Sequence, residues 1–161
     1  MTRLPALLSS LLLALSSVVQ ADLYTDTQAL FNAGKTTQAI AELKKASDAG
    51  DASAKALLGQ AYETGNGVEK DLEQAFALYK DSAQVQNPLG QYYIGQAYFN
   101  GRGADRNLIS AYLWLTLSGE QASPVQQQAQ TAQQQVAAEL NPLQLEKAQL
   151  LVEQLKTLYL D

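Results

Sequence analysis

Apolar side chains recur every three or four residues along most of the chain, in blocks that are separated by glycine or proline. The first block has the apolar face Leu23, Thr27, Leu30 and Phe31, and the second has Ala39, Ile40, Leu43 and Ala46. This spacing places the side chains of each block on one side of an α-helix. Gly34 ends the first block and Gly50 ends the second. The pattern therefore predicts a helical hairpin over residues 23–50.

The next two blocks are copies of one another. Residues 59–75 and 95–111 agree at 8 of 17 positions, 36 residues apart and without a gap. The repeat predicts four helices, at about 52–64, 72–83, 88–100 and 108–118. The turns contain the glycine pairs Gly65/Gly67 and Gly101/Gly103, and Asp71 and Asn107 are predicted N-caps. A fixed period of this length is typical of a helical solenoid, whose units bury their apolar faces against their neighbours.

Two glycines of the repeat fall in the middle of predicted helices. Gly59 and Gly95 are 36 residues apart, and glycine at such a position costs about 1 kcal/mol relative to alanine. We expect the missing Cβ to let the second helix of each hairpin come close. Small and large residues also recur in separate columns at the same period; these columns are Ala39/Ala75/Ala111, Ile40/Phe76/Tyr112 and Leu43/Tyr79/Leu115.

After Gly119 the repeat stops, and two further helices are predicted, at about 123–140 and 142–160. Ser123 to Gln126 has the pattern of a capping box with proline at the first helical position. The apolar face is predicted to be Val125, Ala129, Val136 and Leu140 in the first helix, and Leu143, Leu151, Leu155, Leu158 and Tyr159 in the second. Eight of the 15 residues from 121 to 135 are glutamine, which is also a low-complexity pattern. We interpret the segment as helical, and the pair as a solenoid cap with a polar outer face.

The fold class predicted from these patterns is all-α. It is a right-handed α/α superhelix of antiparallel hairpins, with about eight helices and a C-terminal capping pair. Residues 22–161 are expected to form one domain, with units at about 23–50, 52–86 and 88–119, followed by the capping helices.

The repeated residues resemble the Sel-one-like repeat, a relative of the tetratricopeptide repeat. The matching positions are Ala54, Leu58, Gly59, Tyr62, Gly65, Gly67, Val68, Asp71 and Ala75, followed by Gly90, Ile94, Gly95, Tyr98, Gly101, Gly103, Ala104, Asn107 and Ala111. The resemblance covers about residues 36–158. It implies an adaptor or scaffold without catalytic activity. Family members that contain cysteine often cross-link each hairpin, and this chain, which has none, must be stabilised by packing alone.

The N-terminus has the layout of a secretory signal peptide. Arg3 precedes an apolar run from Leu4 to Val19, and Val19 and Ala21 are small residues at the −3 and −1 positions of a cleavage site. We predict cleavage after residue 21 and no stable membrane insertion afterwards; an uncleaved signal anchor is the alternative. The expected location is outside the cytoplasm, and the periplasm if the source is a Gram-negative bacterium.

Composition excludes several classes of function. The chain has no cysteine and no histidine, and its formal net charge is −5, so thiolate and imidazole chemistry are excluded. The chain has no basic stripe, so nucleic acid is not expected as a partner. No cofactor site, metal site or catalytic residue is predicted. Glu63 has no second acid at the corresponding repeat position for a glycosidase pair, and the chain is predicted not to be an enzyme.

A groove on the concave face is the predicted binding site for a protein or peptide. On a helical wheel, one strip of the first helix of each repeat lies off the predicted buried face. The members of this strip are Leu57, Gln60, Thr64, Leu89, Tyr93, Gln96 and Asn100. Leu57, Leu89 and Tyr93 would then be exposed apolar residues, which mark binding sites. Tyr92 is expected to lie nearer the core, and the glutamine-rich face of residues 121–135 is the alternative surface.

The leading functional hypothesis is a secreted interaction module that binds a peptide or an envelope protein. A regulatory subunit of an envelope enzyme or sensor is the alternative. A cell-wall glycan-processing enzyme is a remote third possibility.

Overall fold

The computed structural model describes residues 23–160, and the predicted signal peptide lies outside them. The described chain consists of helices joined by short turns. The helices are α1 (residues 23–32), α2 (Thr36–Asp48), α3 (Ala52–Thr64), α4 (Leu72–Gln84), α5 (Pro88–Asn100), α6 (Leu108–Gly119), α7 (Gln126–Glu139) and α8 (Pro142–Leu160). The all-α prediction is confirmed, and the glutamine-rich segment is helical.

Consecutive helices from α2 to α7 pack against each other, and the hairpins of the two repeats stack on each other. Within the two repeats, α3 packs against α4 and α5 against α6, while α4 also packs against α5. The odd-numbered helices α3, α5 and α7 contact one another in a row, and α8 packs against α6. This is the arrangement of an α/α solenoid, in which each unit completes the core of the next.

Helix N-caps recur with the repeat. The Asp71 carboxylate accepts a hydrogen bond from the backbone N–H of Gln74 at 2.9 Å. The side-chain oxygen of Asn107 accepts one from the backbone N–H of Ser110 at the same distance, so both predicted caps are confirmed. Asp51 and Asn87 cap α3 and α5 in the same way. A cap of this kind satisfies an otherwise unpaired backbone N–H and stabilises the helix by about 1 kcal/mol.

The two mid-helix glycines are contact points within the hairpins, as expected. A Cβ at Gly59 would lie 2.6 Å from Cε1 of Tyr79 and 3.1 Å from the carbonyl oxygen of Ala75 in α4. At Gly95 it would lie 2.7 Å from Cγ of Leu115 in α6. A Cβ at either position would therefore force its neighbours in the second helix of the hairpin to shift.

The second glycine of each turn has a role that the sequence did not reveal. Gly67 and Gly103 have φ values of 80° and 73°, so the turn itself favours glycine. In addition, a Cβ at Gly103 would collide with the carbonyl oxygen of Leu72 and with Phe76, and one at Gly67 would collide with Thr36 and Ile40 in α2. Each turn thus packs on the even-numbered helix of the preceding hairpin.

Buried serine hydroxyls provide another repeated connection. The Ser82 hydroxyl donates to the carbonyl oxygen of Ala52 at 2.6 Å, and the Ser118 hydroxyl donates to that of Pro88 at 2.8 Å. Each bond joins the end of an even-numbered helix to the first residue of the helix before it. The four residues keep the 36-residue period, so the bond recurs in both repeats.

The predicted capping box before α7 is wrong. Helix α7 begins at Gln126, and its N-cap residue, Val125, provides no side-chain cap. The Ser123 hydroxyl is buried and has no hydrogen-bond partner in the described chain. The predicted apolar face of α7 is nevertheless confirmed, because Val125, Ala129, Val136 and Leu140 are all buried.

The predicted apolar side of α8 is also partly wrong. The residues that face the core are Ala148 and Val152, which are buried, with Leu145 and Leu155 packed beside them. Leu143 and Leu158 are instead exposed, and the side chain of Tyr159 lies outside the described residues. Since helix α8 packs on α6 through one face, leucines on both sides of the helix could not all be buried. The outer face of the cap is therefore not uniformly polar.

Gln86 provides a test of the turn between the repeats. Its φ is 61°, whereas the equivalent residue of the preceding unit, Gly50, has a φ of 92°. A side chain in this left-handed region costs roughly 1–2 kcal/mol. We expect Gln86→Gly to raise the free energy of unfolding by about 0.5–1 kcal/mol, after the entropy gained by the unfolded chain is deducted. Urea unfolding followed by circular dichroism measures this change.

The matched control is Gln84→Gly, which lies in the last turn of α4. It should lower the stability by up to about 1 kcal/mol, because glycine disfavours a regular helix. Equal destabilisation by both substitutions would show that Gln86 is not strained.

Candidate functional site

Three clefts lie in a row on the face formed by the odd-numbered helices, and we call this surface the groove. The first cleft, of about 420 Å³, lies between α1 and α3. The middle cleft, of about 210 Å³, lies between α3 and α5, and the last, of about 300 Å³, lies between α5 and α7. Gln60 and Thr64 line both the first and the middle cleft, while Tyr92 and Gln96 line both the middle and the last. These shared residues make the clefts one continuous surface.

The polar positions predicted for the groove lie on or next to this surface. Gln60, Thr64 and Gln96 line the clefts. Asn100 lies at the end of α5, and its amide donates to the carbonyl oxygen of Gln96 at 2.8 Å. Whether these residues bind a partner stays a prediction.

The expectation that Leu57, Leu89 and Tyr93 are exposed is wrong. Their exposed fractions are 1%, 1% and 8%. The Tyr93 ring stacks on that of Tyr79 in α4, with centroids 5.2 Å apart and planes inclined by 21°. Helices α3 and α5 each have neighbours on both sides as well as a hairpin partner, so only a narrow strip of each remains free. A helical wheel that assumes one buried face overestimates the width of that strip.

Phe31 lines the first cleft, and the largely buried Tyr93 is part of the lining of the middle one. The aromatic residue that two clefts share is Tyr92, which the sequence interpretation placed nearer the core. It is half-buried and lines the middle and last clefts together with Gln96. These two residues are four positions apart and therefore lie on one strip of α5. That spacing is the signal in the sequence that could have identified Tyr92.

Amides dominate the lining of the groove. The three clefts are lined by the amide side chains of Gln28, Asn32, Gln60, Asn66, Gln96, Gln127, Gln128 and Gln135. Three of these residues come from the glutamine-rich helix α7, so the two surfaces considered as alternatives are parts of one surface. Each amide offers both a donor and an acceptor. A surface of this kind can bond to the N–H and C=O groups of another chain without carrying charge.

The charged residues in the lining of these clefts, Glu63 and Arg102, neutralise each other. Arg102, in the turn of the second repeat, forms an ion pair with Glu63 at the end of α3. The Tyr79 hydroxyl donates to the same carboxylate at 2.7 Å. Burial, and then the negative charge of Glu63, raise the pKa of Tyr79 far above its ordinary value. The cluster joins two repeats beneath the middle cleft, and Glu63 is held in a structural network.

Burial also raises the pKa of the two neighbouring tyrosines, Tyr92 and Tyr93. All three phenols therefore stay neutral at physiological pH. Within residues 23–160, no group of three or more aspartate, glutamate, histidine or cysteine residues could hold a metal ion. In the same part of the chain, no helix is long and apolar enough to span a membrane.

The stacked hairpins and the groove define a helical solenoid. Residues 52–84 and 88–123, which make up less than half of the chain, match the Sel1 repeat. The resemblance seen in the sequence is confirmed. Proteins of this family are generally protein–protein interaction modules and typically non-catalytic scaffolds. A search of curated proteins finds no match.

Solved structures support the same assignment. The chain is similar to c5321, a protective antigen present in uropathogenic Escherichia coli strains that displays an SLR fold. The TM-score is 0.70 and the identity 27%, over 86% of this chain and 29% of that one. It is also similar to a Sel1 repeat protein from Oxalobacter formigenes, with a TM-score of 0.60 and 27% identity over 71% of this chain and 46% of that one. This chain thus spans less than half the length of either relative.

The buried tyrosines predict a loss of stability at alkaline pH. In the unfolded chain, tyrosine ionises near pH 10, whereas folded Tyr79 and Tyr93 keep their protons to higher pH. Below pH 10, these two groups should therefore not change the free energy of unfolding as the pH changes. Above it, stability should fall by about 1.4 kcal/mol per pH unit for each of them.

Tyr79→Phe isolates one contribution. The variant should be less stable than the wild type at pH 8 by roughly 1–3 kcal/mol, because it loses the hydrogen bond to the Glu63 carboxylate. Its further loss between pH 8 and pH 11 should be smaller than that of the wild type by about 1.4 kcal/mol. Urea unfolding at the two pH values measures both quantities. Equal losses in the two proteins would show that Tyr79 ionises normally in the fold.

Proposed function

We propose that this protein is an interaction module whose groove binds an extended, uncharged segment of another protein. The observation that carries the proposal is the lining of the groove, in which amide side chains come from α1, α3, α5 and α7, and those of α3, α5 and α7 share two clefts with Tyr92. An extended segment has free backbone N–H and C=O groups along both edges. Rows of amides can satisfy both kinds of group, whereas a charged ligand would find no unpaired counter-charge in the clefts.

Tyr92 is the proposed anchor. Aromatic residues are over-represented among interface residues whose truncation costs about 2 kcal/mol or more. Its position between the middle and last clefts lets one side chain of the ligand pack on the ring while the backbone follows the glutamines on either side. The neutral phenol also adds a hydrogen-bond donor at physiological pH.

We further propose that the module acts outside the cytoplasm as an adaptor for an envelope protein. This proposal rests on the signal-peptide pattern of residues 1–21. In a Gram-negative bacterium the location would be the periplasm.

The groove is tested by selecting a displayed library of unstructured peptides on the purified protein and measuring the affinity of the peptides recovered. Tyr92→Ala should weaken binding by about 2 kcal/mol, roughly 30-fold, and the pair Gln60→Ala/Gln96→Ala should weaken it further. The circular dichroism of these variants should match that of the wild type, because the residues are only partly buried.

Two controls make the result specific to the groove. Gln84→Ala, exposed on α4, should bind as the wild type does. Tyr93 also contributes to the lining of the middle cleft, but it is buried. Tyr93→Ala should therefore lower the free energy of unfolding by about 3–5 kcal/mol, as expected for a buried aromatic residue. Undiminished binding by both Tyr92→Ala and the glutamine pair would exclude the groove as the binding site.

The proposed export has its own test. Intact-mass measurement of protein produced in a secreting bacterial host should give a chain that begins at Asp22, because Val19 and Ala21 form the cleavage site. The control is Ala21→Arg, which should block cleavage. A mature mass that still includes residues 1–21 would contradict the proposal.

A further inference from the structure

A leucine stripe on helix α8 has no function in the fold. Leu143, Leu150 and Leu158 are exposed to 75%, 58% and 74%. Their spacing of seven and eight residues places them on one side of the helix, opposite the face formed by Ala148 and Val152. Since the core of the hairpins is complete without them, the stripe is a surface that a partner can bury.

We infer that the leucine stripe pairs with the same stripe of a second copy of this chain, with the two α8 helices antiparallel. Leu150 lies midway between the other two leucines. A two-fold axis that passes beside Leu150, between residues 150 and 151, therefore brings Leu143 of each copy against Leu158 of the other. Such a self-complementary arrangement is what a symmetric dimer requires.

The charges of α8 favour this occupant. The helix carries Glu146, Lys147, Glu153 and Lys156. Its net charge is therefore zero, whereas the whole chain carries −5. Two copies consequently meet through this helix without the repulsion that other parts of an acidic protein would produce.

The individual charges also match in the antiparallel register. Lys156 is already paired with Glu120 on the side of α6 and lies 3.5 Å from the exposed Glu153 carboxylate, whereas Lys147 has no ion pair within the described chain. Lys147 lies between Leu143 and Leu150 on the stripe. The two-fold axis brings it opposite Gln154 and next to Glu153 of the second copy, and this contact occurs twice by symmetry. The proposal is independent of the groove, which lies on the odd-numbered helices.

Cysteine cross-linking tests the dimer directly, because the natural chain contains no cysteine. Protein purified after export, with whichever N-terminus it then carries, is mildly oxidised and separated without reducing agent. Leu150→Cys should form a covalent dimer several-fold faster than the control Val85→Cys, whose residue is also exposed, at 65%, but lies in the turn after α4. A mixture of Leu143→Cys and Leu158→Cys should cross-link faster than either variant alone.

Sedimentation of the unmodified protein supplies the second measurement. The wild type should show a mass that rises from monomer to dimer with concentration, and Leu150→Glu should remain a monomer with unchanged circular dichroism. Cross-linking of Leu150→Cys at the rate of Val85→Cys would overturn the proposal. A wild type that stays monomeric at every concentration would do the same, and would assign the stripe to another partner. Faster cross-linking of Leu143→Cys to itself than to Leu158→Cys would overturn the antiparallel arrangement.

Discussion

The close approach of the two helices at Gly59 and Gly95 is the contact on which the rest of the solenoid depends. At these points the missing Cβ leaves room for Tyr79 of α4 and Leu115 of α6. The same spacing brings the serine hydroxyls of the even-numbered helices within hydrogen-bond distance of the preceding odd-numbered helices. Glycine at a helix centre costs about 1 kcal/mol, and the packing of each hairpin offsets that cost.

Stacking then follows from the second glycine of each turn. Because Gly67 and Gly103 have no side chain, each turn lies directly on the even-numbered helix of the preceding hairpin. The Arg102–Glu63 ion pair and the Tyr79 hydroxyl join the same two repeats from the side of the groove. Consecutive odd-numbered helices are thereby held side by side, and the clefts between them form the groove. The proposed binding surface is thus a consequence of the repeat packing.

The sequence predicted the helices and most of their caps, because these depend on local residue spacing and on a repeat that occurs twice in the chain. It predicted the polar residues of the groove, Gln60 and Gln96, for the same reason. It misplaced Tyr92 and Tyr93, because their exposure depends on how closely α3, α5 and α7 approach each other, and no local pattern records that distance. Leu143 and Leu158 were misjudged because α8 has apolar residues on two faces, and only the contact with α6 shows which face is inside. The Ser123 box failed because α7 starts at Gln126, two residues later than the local pattern indicates.

A double-mutant cycle on Gly95 and Leu115 is the most direct test of this account. Gly95→Ala should destabilise the wild type, because the new Cβ would lie 2.7 Å from Cγ of Leu115. In a Leu115→Ala background that atom is absent, so the same substitution should cost less. We predict a coupling free energy of at least about 1 kcal/mol between the two positions in urea unfolding. Additivity of the two substitutions within about 0.5 kcal/mol would contradict the claim that glycine sets the spacing of the hairpin.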